Sequence, residues 1–297
     1  MAKPIRILLS DDDESYFRDL QQDANRHNLI IEHARTANAG IKMLEKYRSR
    51  YGGAIIDVNG LIDEYQTVDS ADHVSYAIKE FKKICPDLPM VIATNDSQQQ
   101  KNILDLGFDR FYDQEIPVFY KPDNDGVNRM FVFLKENANK LPQIKIQNEF
   151  SDVFEIFDRD YLNPESHERL LSCIDGRGKG DEVSIRKNLI PFRYLLSDIF
   201  KAMAKTKKDV IPHELLEPEV KIGPIINHLS DSGLYNSFSL PDRYSHIINF
   251  VVSNYSAHTD DTSSDTHKPT KYMYRSILFA MMDYLLWFKD WMERNSQ

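Results

Sequence analysis

The chain has few of the features that mark secreted, membrane-bound or zinc-caged proteins. Its 297 residues include two cysteines, Cys85 and Cys173, which are too few and too far apart for a disulfide framework or a zinc site. The N-terminus runs into consecutive acids and lacks the pattern of a signal peptide. No segment reaches the roughly 18 uninterrupted apolar residues that cross a bilayer. These absences predict a soluble, cytoplasmic protein with no membrane partner.

The chain also has fewer basic than acidic side chains. The chain has 37 basic and 46 acidic side chains, a formal net charge of −9. From Lys140 onward, about 20 basic residues face about 23 acidic ones, a balance that opposes binding to a phosphate backbone. That half contains no compact basic helix-turn-helix. The composition therefore argues against nucleic acid as a partner, and a DNA-binding regulator is kept only as a lesser alternative.

The length predicts two domains, and the first half has an alternating pattern. Short apolar runs rich in Ile and Val are separated by amphipathic stretches of helical length, which is typical of a parallel sheet covered on both faces. We expect residues 1–139 to form a flavodoxin-like, doubly wound α/β domain with five parallel strands. The predicted strands are Ile5 to Leu9, Ile30 to Glu32, Ala54 to Ile56, Met90 to Ala93 and Val118 to Tyr120.

The helices predicted between these strands are Ser15 to His27, Ala39 to Tyr47, His73 to Lys83, Ser97 to Leu106 and Gly126 to Asn139. After a connector at Lys140 to Gln147 the strand-like runs disappear, so residues 140–297 are predicted to form an all-α domain. Its predicted helices are Asn148 to Phe157, Pro164 to Ile174, Glu182 to Lys207, His213 to Leu229, Arg243 to Ala257 and Pro269 to Arg294. We expect Pro191 to kink or split the third of these.

Polar residues follow the predicted strands at the edge of the sheet where ligands bind in such folds. Asp11 and Asp12 follow the first strand, Asp57 ends the third, Thr94 ends the fourth and Lys121 follows the fifth. Carboxylates gathered in this way repel one another, and a hard divalent cation with oxygen ligands relieves that repulsion. The pattern predicts a Mg²⁺ site beside a lysine and a hydroxyl that can hold a phosphoryl group.

These residues, in this order, resemble the receiver domains of two-component response regulators, over about residues 3–139. Asp11 and Asp12 match the acidic pair of the family, Asp57 its phospho-acceptor, Thr94 its switch hydroxyl and Lys121, followed by Pro122, its active-site lysine. Asn59 matches the position where the family coordinates the metal through a main-chain carbonyl. The proline-containing loop that usually follows the acceptor is replaced by a longer stretch, Gly60 to Asp72, without proline.

The resemblance implies a phosphoprotein of a phosphorelay. Asp57 would take a phosphoryl group from a histidine kinase or phosphotransfer protein, with Mg²⁺ as cofactor and Lys121 and Thr94 as ligands of the phosphoryl oxygens. The domain would catalyse its own phosphorylation and dephosphorylation only, and the sequence indicates no separate active site in the helical half.

The helical half is interpreted as an output domain for an unidentified downstream protein. Its last helix, apolar around much of its circumference, is either a core helix or half of a homodimer interface, with the core favoured. A helix, a polar loop and a long aromatic helix resemble the helical HEPN group. The nucleases of that group carry an arginine, then four to six residues, then a histidine, and no arginine in this half has a histidine at that distance. An enzyme regulated by the receiver domain, specifically a HEPN-like nuclease, stays an alternative interpretation of this half.

Overall fold

The computed structural model describes residues 3–70, 72–95, 116–235, 239–256 and 268–296. The chain folds as two compact units, Met1–Glu149 and Phe150–Gln297. The first is an α/β unit and the second is helical, as the alternation of patterns in the sequence predicts.

The first unit is built on a five-stranded parallel sheet with the order β2-β1-β3-β4-β5. This is the flavodoxin-like order of doubly wound folds, in which the chain reverses direction across the sheet between β1 and β3. The strands are β1 (Ile5–Ser10), β2 (Leu29–Ala34), β3 (Tyr51–Asp57), β4 (Met90–Thr94) and β5 (Val118–Tyr120). Each contains its predicted strand, so the predicted fold class is confirmed.

Both faces of the sheet are buried, because successive side chains of a strand point to opposite faces. On β1, Ile7 and Leu9 pack in one apolar cluster and Leu8 in the other. On β3, Ile55 joins the first cluster and Ile56 the second. Strands buried on both faces are apolar almost throughout, which explains why the runs stand out in the sequence.

Helices cover these two faces. They are α1 (Glu14–Arg26), α2 (Ala37–Lys46), α3 (His73–Ile84) and α4 (Asn124–Ala138). Each agrees with its predicted helix to within a few residues. The predicted helix at Ser97 to Leu106 lies outside the described residues.

A further helix, α5 (Pro142–Glu149), occupies most of the predicted connector. Pro142 stands at its first position, where a missing N–H costs nothing. Ile144 packs in the same apolar cluster as α4, and the Gln147 amide donates to the Ser49 carbonyl at 2.8 Å. The sequence predicts a domain boundary after residue 139, and the compact first unit extends to Glu149 because this helix packs on it.

The second unit contains six α-helices among its described residues, centred on α8, which packs against four of the others. Phe192, Leu196 and Phe200 of α8 are fully buried, as are Leu285 and Phe288 of the last helix, α11. The last helix therefore forms part of the core, as favoured above. The helices are α6 (Ser151–Asp158), α7 (Pro164–Asp175), α8 (Glu182–Thr206), α9 (Ile222–Asp231), α10 (Leu240–Tyr255) and α11 (Lys271–Asn295).

Two helix predictions for the helical half are wrong. The predicted helix Asn148 to Phe157 spans the division between the units, because α5 ends at Glu149 and α6 begins at Ser151. The predicted helix His213 to Leu229 is a 3₁₀ turn at His213–Leu215 followed, past Pro218, by α9. At Pro191, where the sequence predicts a kink or a split, α8 is not split and is one element from Glu182 to Thr206.

Across the described ranges, no helix combines the length and apolar character that a bilayer crossing requires.

Candidate functional site

The carboxyl ends of four strands meet at one edge of the first unit. In-register pairing sets Ser10 of β1 beside Ile56, Asp57 of β3 beside Ala93, and Thr94 of β4 beside Tyr120. The residues that follow these positions are therefore neighbours in space, although they are far apart in sequence. This edge is where ligands bind in flavodoxin-like folds.

Three carboxylates converge there. Ligand oxygens of Asp11, Asp12 and Asp57 all lie within 4.8 Å of one another. Asp11 is 1% exposed, and Asp12 and Asp57 are half-buried. A set of carboxylate oxygens is the donor chemistry that Mg²⁺ prefers, so these residues fit such a cation. Asn59 lies in the bend two residues past Asp57, where its main chain is close in sequence to the cluster.

Asp13, the third acid of the run, has a different role. Its side chain caps α1, accepting hydrogen bonds from Ser15 N at 2.8 Å and Tyr16 N at 3.1 Å. An aspartate at this position satisfies N–H groups that have no partner within the helix. The main-chain N–H of Asp13 in turn donates to Asp11 Oδ1 at 2.9 Å, which orients the Asp11 carboxylate.

Lys121 bridges two of the acids. Its Nζ lies 2.6 Å from Asp11 Oδ2 and 2.9 Å from Asp57 Oδ1, and its side chain is 3% exposed. Burial alone would lower the pKa of Lys121, but the charges of Asp57 and Asp11 outweigh it and hold the pKa above its ordinary value. The lysine is therefore a fixed cation in the site.

The Asp57 carboxylate, by contrast, is protonated more readily than an ordinary aspartate. Burial, and then the charge of Asp11, raise the pKa of Asp57 to about 7, and the opposing effect of Lys121 is smaller. One ammonium group is shared between two carboxylates, so its single positive charge does not offset both negative charges. A second cation would favour the ionised form of both. The cluster of three carboxylates is therefore compatible with a bound divalent cation.

Thr94 lies on the neighbouring strand end and is 1% exposed. Its carbonyl accepts a hydrogen bond from the Lys121 main-chain N–H at 2.8 Å. This contact fixes the start of the Lys121 segment against β4. The structure thus brings Asp11, Asp12, Asp57, Thr94 and Lys121 to one edge.

Two aromatic residues that the sequence reasoning passed over also belong to this region. The Lys121 ammonium lies 4.4 Å from the centre of the Tyr16 ring, a cation–π distance. The Tyr16 hydroxyl is buried and has no hydrogen-bond partner among the described residues. Burial and the charges of Asp11 and Asp57 raise the pKa of Tyr16, so the phenol stays protonated. The His33 ring is 2.6 Å from the Asp11 carbonyl oxygen.

The sequence predicts His73 only as the start of a helix, yet its side chain is fully buried beside Asp57. Its Nδ1 lies 2.9 Å from the Asp57 carbonyl oxygen and its Nε2 lies 3.2 Å from Ser10 Oγ. Burial lowers the pKa of His73, so the ring is neutral near pH 7. No local sequence signal reveals these contacts, because their partners are 16 and 63 residues away.

Comparison with protein-family models gives no match, and comparison with curated proteins gives none either. Among solved structures, the similar chains include response regulator receiver domains that cover the N-terminal part of this chain. The strand order and parallel pairing of the sheet match the receiver fold.

Three of these structures illustrate the likeness. A receiver domain protein from Clostridium thermocellum is 15% identical, with a TM-score of 0.35, over 46% of this chain and 95% of its own. A receiver protein from Sinorhizobium medicae WSM419 is 16% identical, with a TM-score of 0.34, over 46% and 94%. A CheY-like receiver domain protein from Methanospirillum hungatei JF-1 is 19% identical, with a TM-score of 0.33, over 46% and 98%.

Proposed function

We propose that the chain is a two-component response regulator whose first unit accepts a phosphoryl group on Asp57. The observation that carries the proposal is the site itself: three carboxylates with ligand oxygens within 4.8 Å, joined by a buried lysine at 2.6 and 2.9 Å. Mg²⁺ would be held by Asp11, Asp12, Asp57 and the main-chain carbonyl of Asn59. Bound there, it would neutralise charge on the oxygens of the transferred group.

In the proposed reaction, an oxygen of the Asp57 carboxylate attacks the phosphorus of a phosphohistidine on a kinase or phosphotransfer protein. The P–O bond to Asp57 forms as the P–N bond breaks, and the histidine leaves with the electron pair. Lys121 Nζ and the Thr94 hydroxyl would donate hydrogen bonds to the phosphoryl oxygens. The product is an acyl phosphate on Asp57.

The direct test is modification of the full chain by acetyl phosphate with Mg²⁺, followed by intact mass measurement. We expect one phosphoryl group on the wild-type protein and none on Asp57→Asn. Asp13→Asn is a matched control, because asparagine caps a helix as well as aspartate does and Asp13 does not bind Lys121. Equal labelling of wild type and Asp57→Asn would refute the proposal.

We further propose that phosphorylation alters the protein contacts of the helical unit. This is supported by the exposed apolar side chains of α10, where Leu240, Ile247 and Phe250 are each at least half exposed. Large apolar groups left in water are typical of protein-binding surfaces. Gel-shift assays with DNA and RNA, and an RNA-cleavage assay, test the alternatives of a DNA-binding regulator or a nuclease. A positive result in either would displace a protein-binding output.

A further inference from the structure

The imidazole of His73 links three segments around the candidate phospho-acceptor. It is fully buried at the start of α3. Its two nitrogens approach the Asp57 main-chain carbonyl at the end of β3 and the Ser10 hydroxyl at the end of β1. A buried polar ring with both nitrogens engaged is costly to rearrange, so it fixes the groups that it touches.

The partners determine which nitrogen carries the proton. A carbonyl oxygen can only accept, so Nδ1 must be the protonated nitrogen and donate to Asp57. In the neutral ring Nε2 is then an acceptor, and it accepts from the Ser10 hydroxyl. The assignment is thus Nδ1–H, with one bond to each strand end.

The ring also packs against the turn that follows Asp57. A Cβ added at Gly60 would lie 3.1 to 3.2 Å from three atoms of the His73 ring, so the ring packs directly on the Gly60 main chain. Ser70 N donates to the Gly60 carbonyl at 2.9 Å, and His73 N donates to the Ser70 carbonyl at 3.1 Å. Both ends of the proline-free loop are therefore held at His73.

We propose that His73 is a positioning residue that holds the Asp57 main chain and the turn through Gly60 in the arrangement a divalent cation needs. The proposal rests on the proposed function, because it concerns the same cation site. The carboxylate of Asp57 and the carbonyl of Asn59 both lie on the short segment between the two places where the ring is anchored. Loosening that segment would misplace two ligands at once.

Three substitutions separate positioning from packing. His73→Asn keeps a donor at the place of Nδ1, His73→Gln keeps a polar group only at the place of Nε2, and His73→Leu keeps neither. With Mg²⁺ alone titrated calorimetrically into the full chain, we expect Leu and Gln to weaken binding about tenfold and Asn to stay within about threefold of wild type. Unfolding in urea would be followed for each variant to show that it is folded. If His73→Leu does not fold, the comparison of His73→Asn with His73→Gln still tests the proposal.

A second readout needs no cation. In metal-free wild-type protein, nitrogen–proton NMR of the histidine rings should show one neutral ring protonated at Nδ1 whose proton exchanges slowly. That signal should be absent from all three variants.

Equal Mg²⁺ affinity in the Asn and Gln variants, or a wild-type ring protonated at Nε2, would overturn the positioning role and leave the proposed function standing. A wild-type protein that binds no Mg²⁺ would overturn both.

Discussion

The affinity of the site for Mg²⁺ is expected to fall about tenfold when the pH is lowered from about 8 to about 6. The reason lies in Asp57, whose pKa is raised to about 7 by its burial and by the charge of Asp11. Mg²⁺ binds the ionised carboxylate, so a proton on Asp57 competes with the cation. Lowering the pH through the raised pKa therefore weakens binding, and raising the pH above it has little further effect.

The magnitude follows from the titration curve. A carboxyl group with a pKa near 7 is about nine-tenths ionised at about pH 8 and about one-tenth ionised at about pH 6. The ratio of these fractions gives the tenfold change. A carboxyl group with an ordinary pKa near 4 is ionised throughout this window and would give no change. Burial lowers the pKa of His73, which shifts its titration toward the acidic end of this window or below it.

Isothermal titration calorimetry on the full chain, in two buffers with different heats of ionisation, measures both the affinity and the protons released. We expect proton release on binding at the acidic end of the window and little at the alkaline end. Asp57→Asn is the control, since Asp11 and Asp12 are kept and the titrating group is removed. An affinity that is independent of pH in the wild type, or equally dependent in Asp57→Asn, would refute the assignment of the raised pKa to Asp57.

Three stability predictions can be checked by urea denaturation. Gly52→Ala should destabilise the protein by about 1–3 kcal/mol, because its Cβ would clash with Ile5 Cγ2. Gly180→Ala, with open space around it, should change the free energy of unfolding by less than about 0.5 kcal/mol. Lys121→Met should cost about 3 kcal/mol without metal, because the buried Asp11 and the half-buried Asp57 lose their cation, and added Mg²⁺ should recover part of that loss. Tyr284→Phe should cost about 1–3 kcal/mol, because it removes the hydroxyl that pairs with the buried Tyr235 hydroxyl. An unchanged unfolding curve would contradict each of the destabilising cases.

The edge that carries the candidate site could be predicted because each residue is tied to the end of an apolar strand. Once the strands are recognised and taken as parallel, Asp11, Asp57, Thr94 and Lys121 must lie at the same edge. The roles of these residues in phosphoryl transfer belong to the proposal, but their proximity follows from topology. Strand burial on both faces gave the strongest signal in the sequence, since it made the runs apolar throughout.

The helical half shows where such reasoning fails. Pro191 and Pro218 both stand within predicted helices, yet only Pro218 interrupts one. Pro191 lies between Leu189 and Phe192, which are fully buried against other helices, so packing compensates for the lost hydrogen bond. Pro218 lies between two exposed glutamates, where no packing opposes the break. The sequence shows the same helix-breaking residue at both positions, and only the tertiary contacts determine whether the helix is interrupted.

The loop after Asp57 makes the same point at the site. Its lack of proline would suggest a loosely held segment, but main-chain hydrogen bonds fix it on both sides. The carbonyls of Leu61 and Ile62 accept from Ala37 N at 2.9 Å and Asn38 N at 3.0 Å, which are donors at the N-terminus of α2 without partners in that helix. Displacing the loop would leave those N–H groups unpaired as well as separating Gly60 from His73. The segment that follows the candidate phospho-acceptor is therefore anchored to α2 and α3 together, through contacts that no local stretch of sequence encodes.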